Sequence, residues 1–437
     1  MNMEKTVYTC HAGSFTGMET EQCIHIRGIR YASAKRFAAP VPYRYPIGIH
    51  ACVTPAPYAM QGHSHLESYL FQTEYESYRQ EESPQFLSVH LPKNATGPLP
   101  VMVWFHGGGF KNGNADAPNY NYEYLVSEQN VILVGVNYRL GVFGFAVDEH
   151  GNPGHPGLLD AIEGLRWVKR NIASFGGDPD NITIFGQSAG AELCRAIVLS
   201  EGTEDLYHRV ILQSDPIGTM HNREEMEQDV YARVTEIPDY CPAEKILDMQ
   251  KRILKEVKEK GTPKYLIFAP RYGVWPLCAA DNIEARLKDA AADHELLIGC
   301  TSREVSVYGG QIRPLILLDN FRPTHGLIET KLKAMSREIF NEPSEAFARQ
   351  YREAGGTVYE YLFSWNEGRS FIGAGHAMDL PLLFGAEHAE GTDAALGLTA
   401  QEIYEAGKPM RELWGTFART GVLPETVSNE ILSLHKL

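Results

Sequence analysis

The sequence predicts an α/β fold, with a mainly parallel central sheet and helices on both faces. Two short, nearly continuous apolar runs, "LPVMVWF" (99–105) and "VILVGV" (131–136), indicate strands that are buried on both faces. Segments with strand character alternate with segments of helical periodicity, and this alternation favours a parallel sheet. In such sheets active sites gather at the carboxyl ends of the strands.

The remaining elements continue the alternation. In "LLDAIEGLRWVKRNIASF" (158–175) apolar residues recur on one helical face, and the glycine pair 176–177 ends the predicted helix. A second helix is predicted in "AELCRAIVL" (191–199). A last helix is predicted in 400–420, interrupted at Gly407-Lys408-Pro409 because proline disrupts a helix interior. Four further strands are predicted in "NITIF" (181–185), "RVILQS" (209–214), "HELLIG" (294–299) and "TVYEYLF" (357–363).

Composition excludes several classes of protein. The 437 residues are 43% hydrophobic, enough for a large core, and we expect one domain over 1–437. The net charge of −15 argues against nucleic acid and anionic membranes as partners. The chain shows neither an apolar signal sequence nor a membrane-spanning run, so a cytoplasmic protein is expected. Seven cysteines without a CxxC pair or Cys/His cluster indicate reduced thiols.

The run "GQSAG" (186–190) places Ser188 between two glycines, where a predicted strand meets a predicted helix. The pattern Gly-x-Ser-x-Gly alone is weak, but an abrupt strand–serine–helix turn strains the serine backbone and crowds both neighbours. Such a turn also raises the hydroxyl to a helix N-terminus, whose dipole stabilises developing negative charge. We therefore predict that Ser188 is a nucleophile; an ordinary turn serine is the alternative.

A glycine run follows the strand 99–105, in "HGGGF" (106–110). Successive glycines let backbone N–H groups approach a ligand without obstruction from side chains. A plain flexible turn would account for the glycines too, but this motif is the usual oxyanion-hole partner of a serine elbow.

With these motifs the chain resembles the type B carboxylesterases, α/β-hydrolases that include cholinesterases and bacterial para-nitrobenzyl esterases. The resemblance covers most of the chain, in the family's order. Further segments that carry it are "IRGIRYASAKRFAAPVP" (26–42), "VGVNYRLGVFGF" (134–145), "LLIGCTSRE" (296–304) and "GAGHAMDLPLLFG" (373–385). The resemblance implies that Ser188 is the nucleophile and that the N–H groups of Gly108, Gly109 and Ala189 form the oxyanion hole.

The general base is sought among the histidines after the serine, because α/β-hydrolases carry their triad in the order serine, acid, histidine. This order excludes His106 and His155. The remaining histidines are His208, His221, His294, His325, His376, His388 and His435. His376 lies in a glycine-rich loop after a predicted strand and within the family's motif, so we predict that it is the base. His325 and His388 are typical of surface residues.

The acid is predicted to be Glu304, directly after the strand 294–299. The resembled family has its glutamate here, usually in an Asp-Glu-Gly-like run, whereas this chain has Arg303-Glu304-Val305. An alternative is that Glu304 pairs with Arg303 or with solvent and has no catalytic role. Three other carboxylates lie at the wrong end of the strand: Asp281, Asp293 and Glu295. Asp319 remains the one serious competitor.

Other positions suggest supporting roles. Arg139, Asp160 and Asp178 are expected in buried ion pairs or caps around the serine turn, and Ser214 could hydrogen-bond the acid or the base. Gln187 stands where cholinesterase-like chains carry glutamate, which argues against quaternary ammonium substrates. Aromatic residues that could line the substrate pocket are Phe110, Tyr272, Trp275, Tyr308 and Phe371.

The expected reaction is two-step acyl transfer on small neutral carboxylic esters, without metal or cofactor. Activity should fall in acid, because a protonated histidine cannot accept the serine proton. Two alternatives remain: a non-catalytic binding protein of the cholinesterase-like kind, and the same triad acting on amides or lactones.

Overall fold

The computed structural model describes residues 6–72, 77–146, 155–234, 237–238, 240–257, 266–312, 316, 322–367 and 369–437. The strands are β1 (Val7–Cys10), β2 (Gly13–Thr16), β3 (Met18–Glu19), β4 (Cys23–Arg30), β5 (Ala32–Ser33), β6 (Val41–Pro42), β7 (Ile49–Ala51), β8 (Tyr58–Ala59), β9 (Gln80–Glu81), β10 (Phe86–Pro92), β11 (Leu99–Phe105), β12 (Ile132–Val136), β13 (Gly177–Gln187), β14 (Arg209–Gln213), β15 (Glu295–Thr301), β16 (Val358–Phe363), β17 (Thr426–Ser428) and β18 (Leu432–Lys436).

The α-helices are His65–Phe71, Glu123–Gln129, Gly141–Phe145, Pro156–Asn171, Ala189–Val198, Glu224–Val234, Ala243–Glu256, Ile283–Asp293, Ser306–Gly309, Arg322–Ser336, Glu342–Glu353, Leu380–Phe384 and Ala400–Thr420. A π-helical segment, Arg337–Asn341, joins two of them. Short 3-10 turns lie at Ile172–Phe175, Glu204–Leu206, Ile217–Thr219, Ala280–Asn282 and Asp393–Ala395.

The described residues form a large sheet of 11 strands in the order β17-β18-β16-β15-β14-β13-β11-β12-β10-β4-β3. Its centre, from β12 to β16, is parallel throughout, and both ends are antiparallel. The predicted parallel sheet is therefore found in the centre, and antiparallel strands that the sequence did not predict extend it into a mixed sheet.

Helices cover both faces of this sheet, as predicted. Alternate residues of β11 belong to different core clusters: Val101 and Val103 pack on one side, and Met102 and Trp104 on the other. This alternation follows from the pleat of a strand, which sends successive side chains to opposite faces. Every one of these residues is fully buried, which explains why the strand reads as an uninterrupted apolar run.

The predicted interruption of the last helix was wrong. The helix Ala400–Thr420 is continuous, with Pro409 inside it. Gly407 has a packing role instead, because a Cβ there would lie 2.1 Å from the carbonyl oxygen of Leu382.

Strands from both ends of the chain enter the large sheet, β3 and β4 near the start and β18 near the end. On this ground we propose that residues 1–437 form one domain. All seven cysteines lie in the described residues, and each is a free thiol. None of the described helices is both long enough and apolar enough to cross a membrane.

Candidate active site

Ser188 lies at a sharp turn between β13 and the helix Ala189–Val198. Its backbone has φ 58° and ψ −125°, a conformation that non-glycine residues rarely adopt. The Ser188 N–H donates to the carbonyl of Gln213, at the end of the neighbouring strand β14, at 2.8 Å. The side chain is partly exposed and does not cap its helix. The hydroxyl is therefore free of a structural hydrogen bond within the turn.

The glycines on either side of Ser188 are required by close backbone contacts. A Cβ at Gly186 would lie 2.4 Å from the carbonyl oxygen of Gly190, and a Cβ at Gly190 would lie 2.0 Å from that of Phe105. Any side chain at these positions would collide with backbone atoms, which cannot move aside as the end of a flexible side chain can. The motif Gly-x-Ser-x-Gly is thus the packing requirement of this turn.

The glycine loop after β11 packs directly against the serine turn. A Cβ at Gly107 would lie 3.3 Å from the Cβ of Ser188. Gly108 and Gly109 have φ of 102° and 61°, in the region that favours glycine. Among the described residues, the N–H groups of Gly108, Gly109 and Ala189 have no hydrogen-bond acceptor. Three unsatisfied donors beside a serine can stabilise an oxyanion.

Glu304 and His376 form a buried pair at the same end of the sheet. They follow β15 and β16, adjacent parallel strands whose carboxyl ends meet at one edge. The Nδ1 of His376 lies 2.5 Å from a carboxylate oxygen of Glu304, and the two residues are 2% and 0% exposed. The other Glu304 oxygen accepts from the N–H of Thr301 at 2.7 Å. A carboxylate held in this way fixes the histidine with its proton on Nδ1.

Arg303 does not pair with Glu304, which was the alternative suggested by the unusual "TSREV" run. The Arg303 guanidinium pairs with Glu329, on the helix Arg322–Ser336. Its backbone N–H donates to the carbonyl of Ala374 at 3.1 Å and so joins the acid loop to the histidine loop. The departure from the family's run therefore leaves the Glu304 carboxylate available to His376.

The Nε2 of His376 faces the serine turn but contacts the residue before the serine. It lies 3.2 Å from the side-chain nitrogen of Gln187, which can donate to it. Among the described residues no hydrogen bond joins His376 to the Ser188 hydroxyl. Catalytic hydrogen bonds are often long or poorly aligned without substrate and tighten only in the complex. The structure thus brings serine, histidine and glutamate to one place, with Gln187 occupying the histidine's acceptor nitrogen.

Two aromatic rings lie beside His376. The rings of Phe340 and Tyr308 lie 5.0 and 5.9 Å from the imidazole, measured between centroids. Phe340 and Tyr308 belong to an apolar cluster with Cys300, Val305, Ile328, Leu332, Ile339 and Phe371. Of the predicted pocket aromatics, Tyr308 is therefore close to the base, and Phe371 packs against the same cluster. Phe340 was missed, because nothing in its sequence neighbourhood indicates that a π-helical segment would carry it there.

The other predicted pocket aromatics lie elsewhere. Phe110 is fully buried and its ring packs on Phe145, 4.5 Å away, so it belongs to the core. Tyr272 hydrogen-bonds Arg195 and lines a separate cavity of about 560 Å³. Trp275 is exposed. A position near a motif in the sequence was therefore a poor guide to the pocket wall.

Beneath the histidine loop lies a polar chain that sequence reasoning did not assign. The side-chain nitrogen of Gln213 donates to Asp379 at 2.6 Å, and Trp414 donates to the Gln213 oxygen at 3.1 Å. Asp379 is 1% exposed, and burial raises its pKa from 3.8 to about 6. Its position three residues after His376 was the only signal available.

The supporting residues that the sequence singled out match their expected roles only in part. Arg139 and Asp160 form the predicted buried ion pair, with 2.7 Å between Nε and a carboxylate oxygen. Asp178 is half-buried, and its carboxylate accepts from a backbone N–H two residues on. Ser214 is buried, but its hydroxyl has no hydrogen-bond partner among the described residues, so its predicted bond to acid or base is not present.

His106 and His155, which triad order excluded as the base, bond backbone atoms. His106 bonds the carbonyl of Gly107 at 2.8 Å, and burial lowers its pKa to about 4. His155 contacts the backbone of Arg271, and burial lowers its pKa to about 4 as well. His325 and His388 are exposed, as expected.

The competing acid, Asp319, lies outside the described residues, whereas all three members of the candidate triad lie within them. The assignment of Glu304 therefore depends on its own contacts with His376 and Thr301, which are direct and buried.

Comparison with known proteins gives the family of the chain. The model of the carboxylesterase family matches residues 4–314. The probable N-octanoylanthranilate hydrolase AqdA2 of Rhodococcus erythropolis is 33% identical over 426 residues, which cover 94% of this chain and 92% of that protein. The para-nitrobenzyl esterase of Bacillus subtilis (strain 168) is 29% identical over 376 residues, covering 78% and 75%.

A solved structure of a PNB esterase superposes on the chain with a TM-score of 0.81 at 25% identity, covering 99% of this chain and 97% of the other. The expected α/β-hydrolase fold and carboxylesterase class are thereby confirmed. Matched by the family model over 4–314 and by relatives along most of its length, the chain belongs to the type B carboxylesterase family.

Proposed function

We propose that this protein is a serine hydrolase that cleaves small neutral carboxylic esters through Ser188, His376 and Glu304. The observation that carries the proposal is the buried contact of 2.5 Å between His376 and Glu304, at the strand ends that also present the Ser188 turn. A buried carboxylate bound to Nδ1 leaves the other imidazole nitrogen as a proton acceptor.

In the proposed reaction, His376 takes the hydroxyl proton of Ser188 as the serine oxygen bonds to the ester carbonyl carbon. The carbonyl oxygen becomes an oxyanion against the N–H groups of Gly108, Gly109 and Ala189. His376 then gives its proton to the leaving alcohol as the ester bond breaks, which leaves an acyl-serine. A water molecule, deprotonated by His376, releases the acid and restores the serine.

One feature of the surroundings supports this assignment, and another adds a requirement to it. Glu304 is fully buried beside an apolar cluster, so its interaction with the imidazolium that forms during reaction is weakly screened. Gln187 competes for the acceptor nitrogen of His376 in the structure, and the proposal requires that the Ser188 hydroxyl replaces it when substrate binds.

The amide-cleaving alternative from the sequence also gains support. The relative with 33% identity is named as a probable hydrolase of N-octanoylanthranilate, whose N-acyl bond is an amide. The same serine, base and oxyanion hole serve ester and amide cleavage, so an N-acyl anthranilate is the second candidate substrate. A non-catalytic role has less support, because all three triad positions hold competent residues. A cytoplasmic location remains a prediction from the sequence.

The test compares wild type with Ser188→Ala. Wild type should hydrolyse short-chain para-nitrophenyl esters and be labelled by a fluorophosphonate probe, and Ser188→Ala should lose labelling and at least about 10⁴-fold in kcat. A second measurement should use octanoylanthranilate, to separate amide from ester cleavage. Equal ester turnover by both proteins, or an unlabelled wild type, would show that the proposed mechanism is wrong.

A further inference from the structure

The candidate oxyanion donors share one structural feature: each N–H belongs to a peptide group whose carbonyl is hydrogen-bonded. In a trans peptide the carbonyl and the N–H point to opposite sides, so a bond that fixes the carbonyl also fixes the direction of the N–H. The carbonyl of Ser188 shares its peptide with the Ala189 N–H, and it accepts from the N–H of Glu192 at 3.0 Å. The first turn of the helix Ala189–Val198 therefore orients this donor.

The Gly109 donor is also oriented by the backbone. The carbonyl of Gly108 lies in the same peptide, and it accepts from the N–H groups of Lys111 and Asn112, each at 3.1 Å. Asn112 is anchored in turn, because its side chain donates to the carbonyl of Gly62 at 2.6 Å. The Ala189 and Gly109 donors thus depend on main-chain hydrogen bonds.

The Gly108 donor is oriented differently, by a side chain. The carbonyl of Gly107 lies in its peptide, 2.8 Å from Nδ1 of His106. A carbonyl oxygen can only accept, so Nδ1 carries the proton and donates it. Among the described residues no other donor bonds this carbonyl. Because glycines on both sides of the peptide offer little steric resistance to its rotation, this hydrogen bond decides which way the Gly108 N–H points.

The imidazole of His106 is itself held in place. Its ring stacks on that of Tyr138, with 4.7 Å between the centroids and 15° between the planes. Gly113 lies close to Nδ1, since a Cβ there would be 2.2 Å away. Gln61 anchors Gly113, accepting from its N–H at 2.9 Å and donating to its carbonyl at 3.0 Å. His106 is buried, and burial lowers its pKa to about 4, so at neutral pH the ring carries one proton, on Nδ1.

We propose that His106 is a positioning residue of the oxyanion hole: by holding the Gly107 carbonyl, it directs the Gly108 N–H towards the carbonyl oxygen of the substrate. The inference rests on the proposed function, because it concerns the oxyanion formed when Ser188 attacks. That oxygen carries more negative charge in the transition state than in the bound ester, so the loss of His106 should lower kcat more than it raises KM.

The test compares two variants of nearly the same shape, His106→Asn and His106→Leu. The amide nitrogen of asparagine lies where histidine has Nδ1, so His106→Asn keeps the donor, whereas a leucine methyl group cannot donate. His106→Leu should lower kcat about 10²-fold at a KM within about threefold of wild type, since losing one oxyanion donor costs about 10²–10³. His106→Asn should keep kcat within about tenfold of wild type. Equal kcat values in the two variants would overturn the proposal.

The melting temperature is measured on both variants, because a purely structural role of His106 predicts the opposite order. Leucine is buried at a lower cost than asparagine, so His106→Leu would then be the more stable and the more active variant. If His106→Leu does not fold, His106→Gln takes its place. The amide nitrogen of glutamine lies where histidine has Nε2, away from the Gly107 carbonyl, so kcat should fall as in His106→Leu. A kcat equal to that of His106→Asn would overturn the proposal.

Inhibitor binding separates the oxyanion from the bound ground state. An alkyl trifluoromethyl ketone accepts the Ser188 oxygen at its carbonyl carbon and so places an oxyanion in the hole, whereas the corresponding alcohol cannot form this adduct. His106→Leu should weaken binding of the ketone about 10²-fold and leave binding of the alcohol unchanged. Equal weakening of both inhibitors, or of neither, would overturn the proposal.

The control variant is His155→Leu, which removes another buried, neutral imidazole that contacts the backbone, at Arg271. It should lower the melting temperature but keep kcat within a few-fold of wild type. Fluorophosphonate labelling of wild type, together with an unchanged kcat in His106→Leu, would reject the role of His106 alone. A wild type without labelling or ester turnover would reject the serine mechanism and this proposal with it.

Discussion

The candidate site consists of two halves that the chain builds in different ways. The elbow half comprises β11, its glycine loop, β13 and Ser188, and it is made by backbone atoms in contact. The acid–base half comprises the loops after β15 and β16, with Glu304 and His376, and it is made by side chains that are 72 residues apart. A Cβ at Gly107, Gly186 or Gly190 would lie only 2.0–2.8 Å from backbone atoms, which restricts these positions of the first half to glycine. The second half accommodates an arginine next to its glutamate, because Arg303 pairs with Glu329 and not with Glu304.

This difference implies that substitutions in one half should mainly reduce activity, and substitutions in the other should mainly reduce stability. A substitution in the acid–base half should abolish the reaction while the fold survives, since it alters one hydrogen bond. A substitution at an elbow glycine should destabilise the fold itself, since backbone atoms must move to admit a Cβ. Measurements of activity and of stability on the same variants would therefore separate the two halves.

The largest expected effect is that of Glu304→Gln on kcat. The carbonyl of the introduced amide would accept from the N–H of Thr301, which turns the amide NH₂ towards Nδ1 of His376. The imidazole must then carry its proton on Nε2, and it cannot take the serine proton. We expect a fall in kcat of about 10³–10⁴-fold at an unchanged melting temperature, as for the loss of an orienting carboxylate in other triads.

The matched control is Glu329→Gln. It changes the carboxylate that pairs with Arg303, the residue before Glu304. It should keep kcat within a few-fold of wild type. Retention of more than a tenth of the activity in Glu304→Gln would contradict the assignment, and a large loss in Asp319→Asn would then identify Asp319 as the acid.

The sequence predicted the strands and glycines of the elbow half and singled out Glu304 and His376, which the structure pairs, but it predicted the aromatic surroundings of the site poorly. The central strands could be recognised because both their faces are buried, as with Val101 and Met102, and the glycines because close packing excludes every other residue. The aromatic residues of the pocket could not be recognised in this way. Phe340 lies beside His376 because of tertiary packing alone. Phe110 was assigned to the pocket although it lies in the core. Strands β1 to β9 were missed; all of them except β4 have only two to four residues and no sustained periodicity.

The next effect in size is that of Gly190→Ala on stability. Its Cβ would lie 2.0 Å from the carbonyl oxygen of Phe105 and 2.8 Å from that of His106, so two elements must separate. We expect a loss of about 4 kcal/mol or more in the free energy of unfolding, the upper range for single substitutions. Urea denaturation followed by fluorescence would measure it.

Gly326→Ala provides the comparison for that variant. Gly326 is exposed in the helix Arg322–Ser336, and a Cβ there would meet no atom within 4 Å. Alanine should stabilise this helix by up to about 1 kcal/mol. A Gly190→Ala protein as stable as Gly326→Ala would show that the elbow can relax, and the division between the two halves would be lost.

The smallest of these effects concerns Asp379, which lies under the acid–base half and bonds Gln213 from the elbow's neighbouring strand. Burial raises its pKa to about 6, above the value of 3.8 that it has when exposed, so the native state binds the proton more tightly than the unfolded state. The resulting contribution to stability is present below about pH 4 and is lost as the pH rises through 6. The shift corresponds to about 3 kcal/mol.

Asp379→Asn resembles the protonated side chain at every pH. The variant should therefore not lose stability as the pH rises. The variant should match wild type near pH 4 and should be more stable by up to about 3 kcal/mol above pH 7, in urea denaturation across that range. Asp180→Asn should behave in the opposite direction, because Asp180 is exposed and its hydrogen bond to Lys169 lowers its pKa. Parallel stability profiles for wild type and Asp379→Asn would mean that the buried carboxylate is ionised at no cost, and that the polar chain from Trp414 through Gln213 compensates its charge fully. The charge of Asp379 would then depend on the strand next to the elbow half, so the two halves of the site would be energetically coupled.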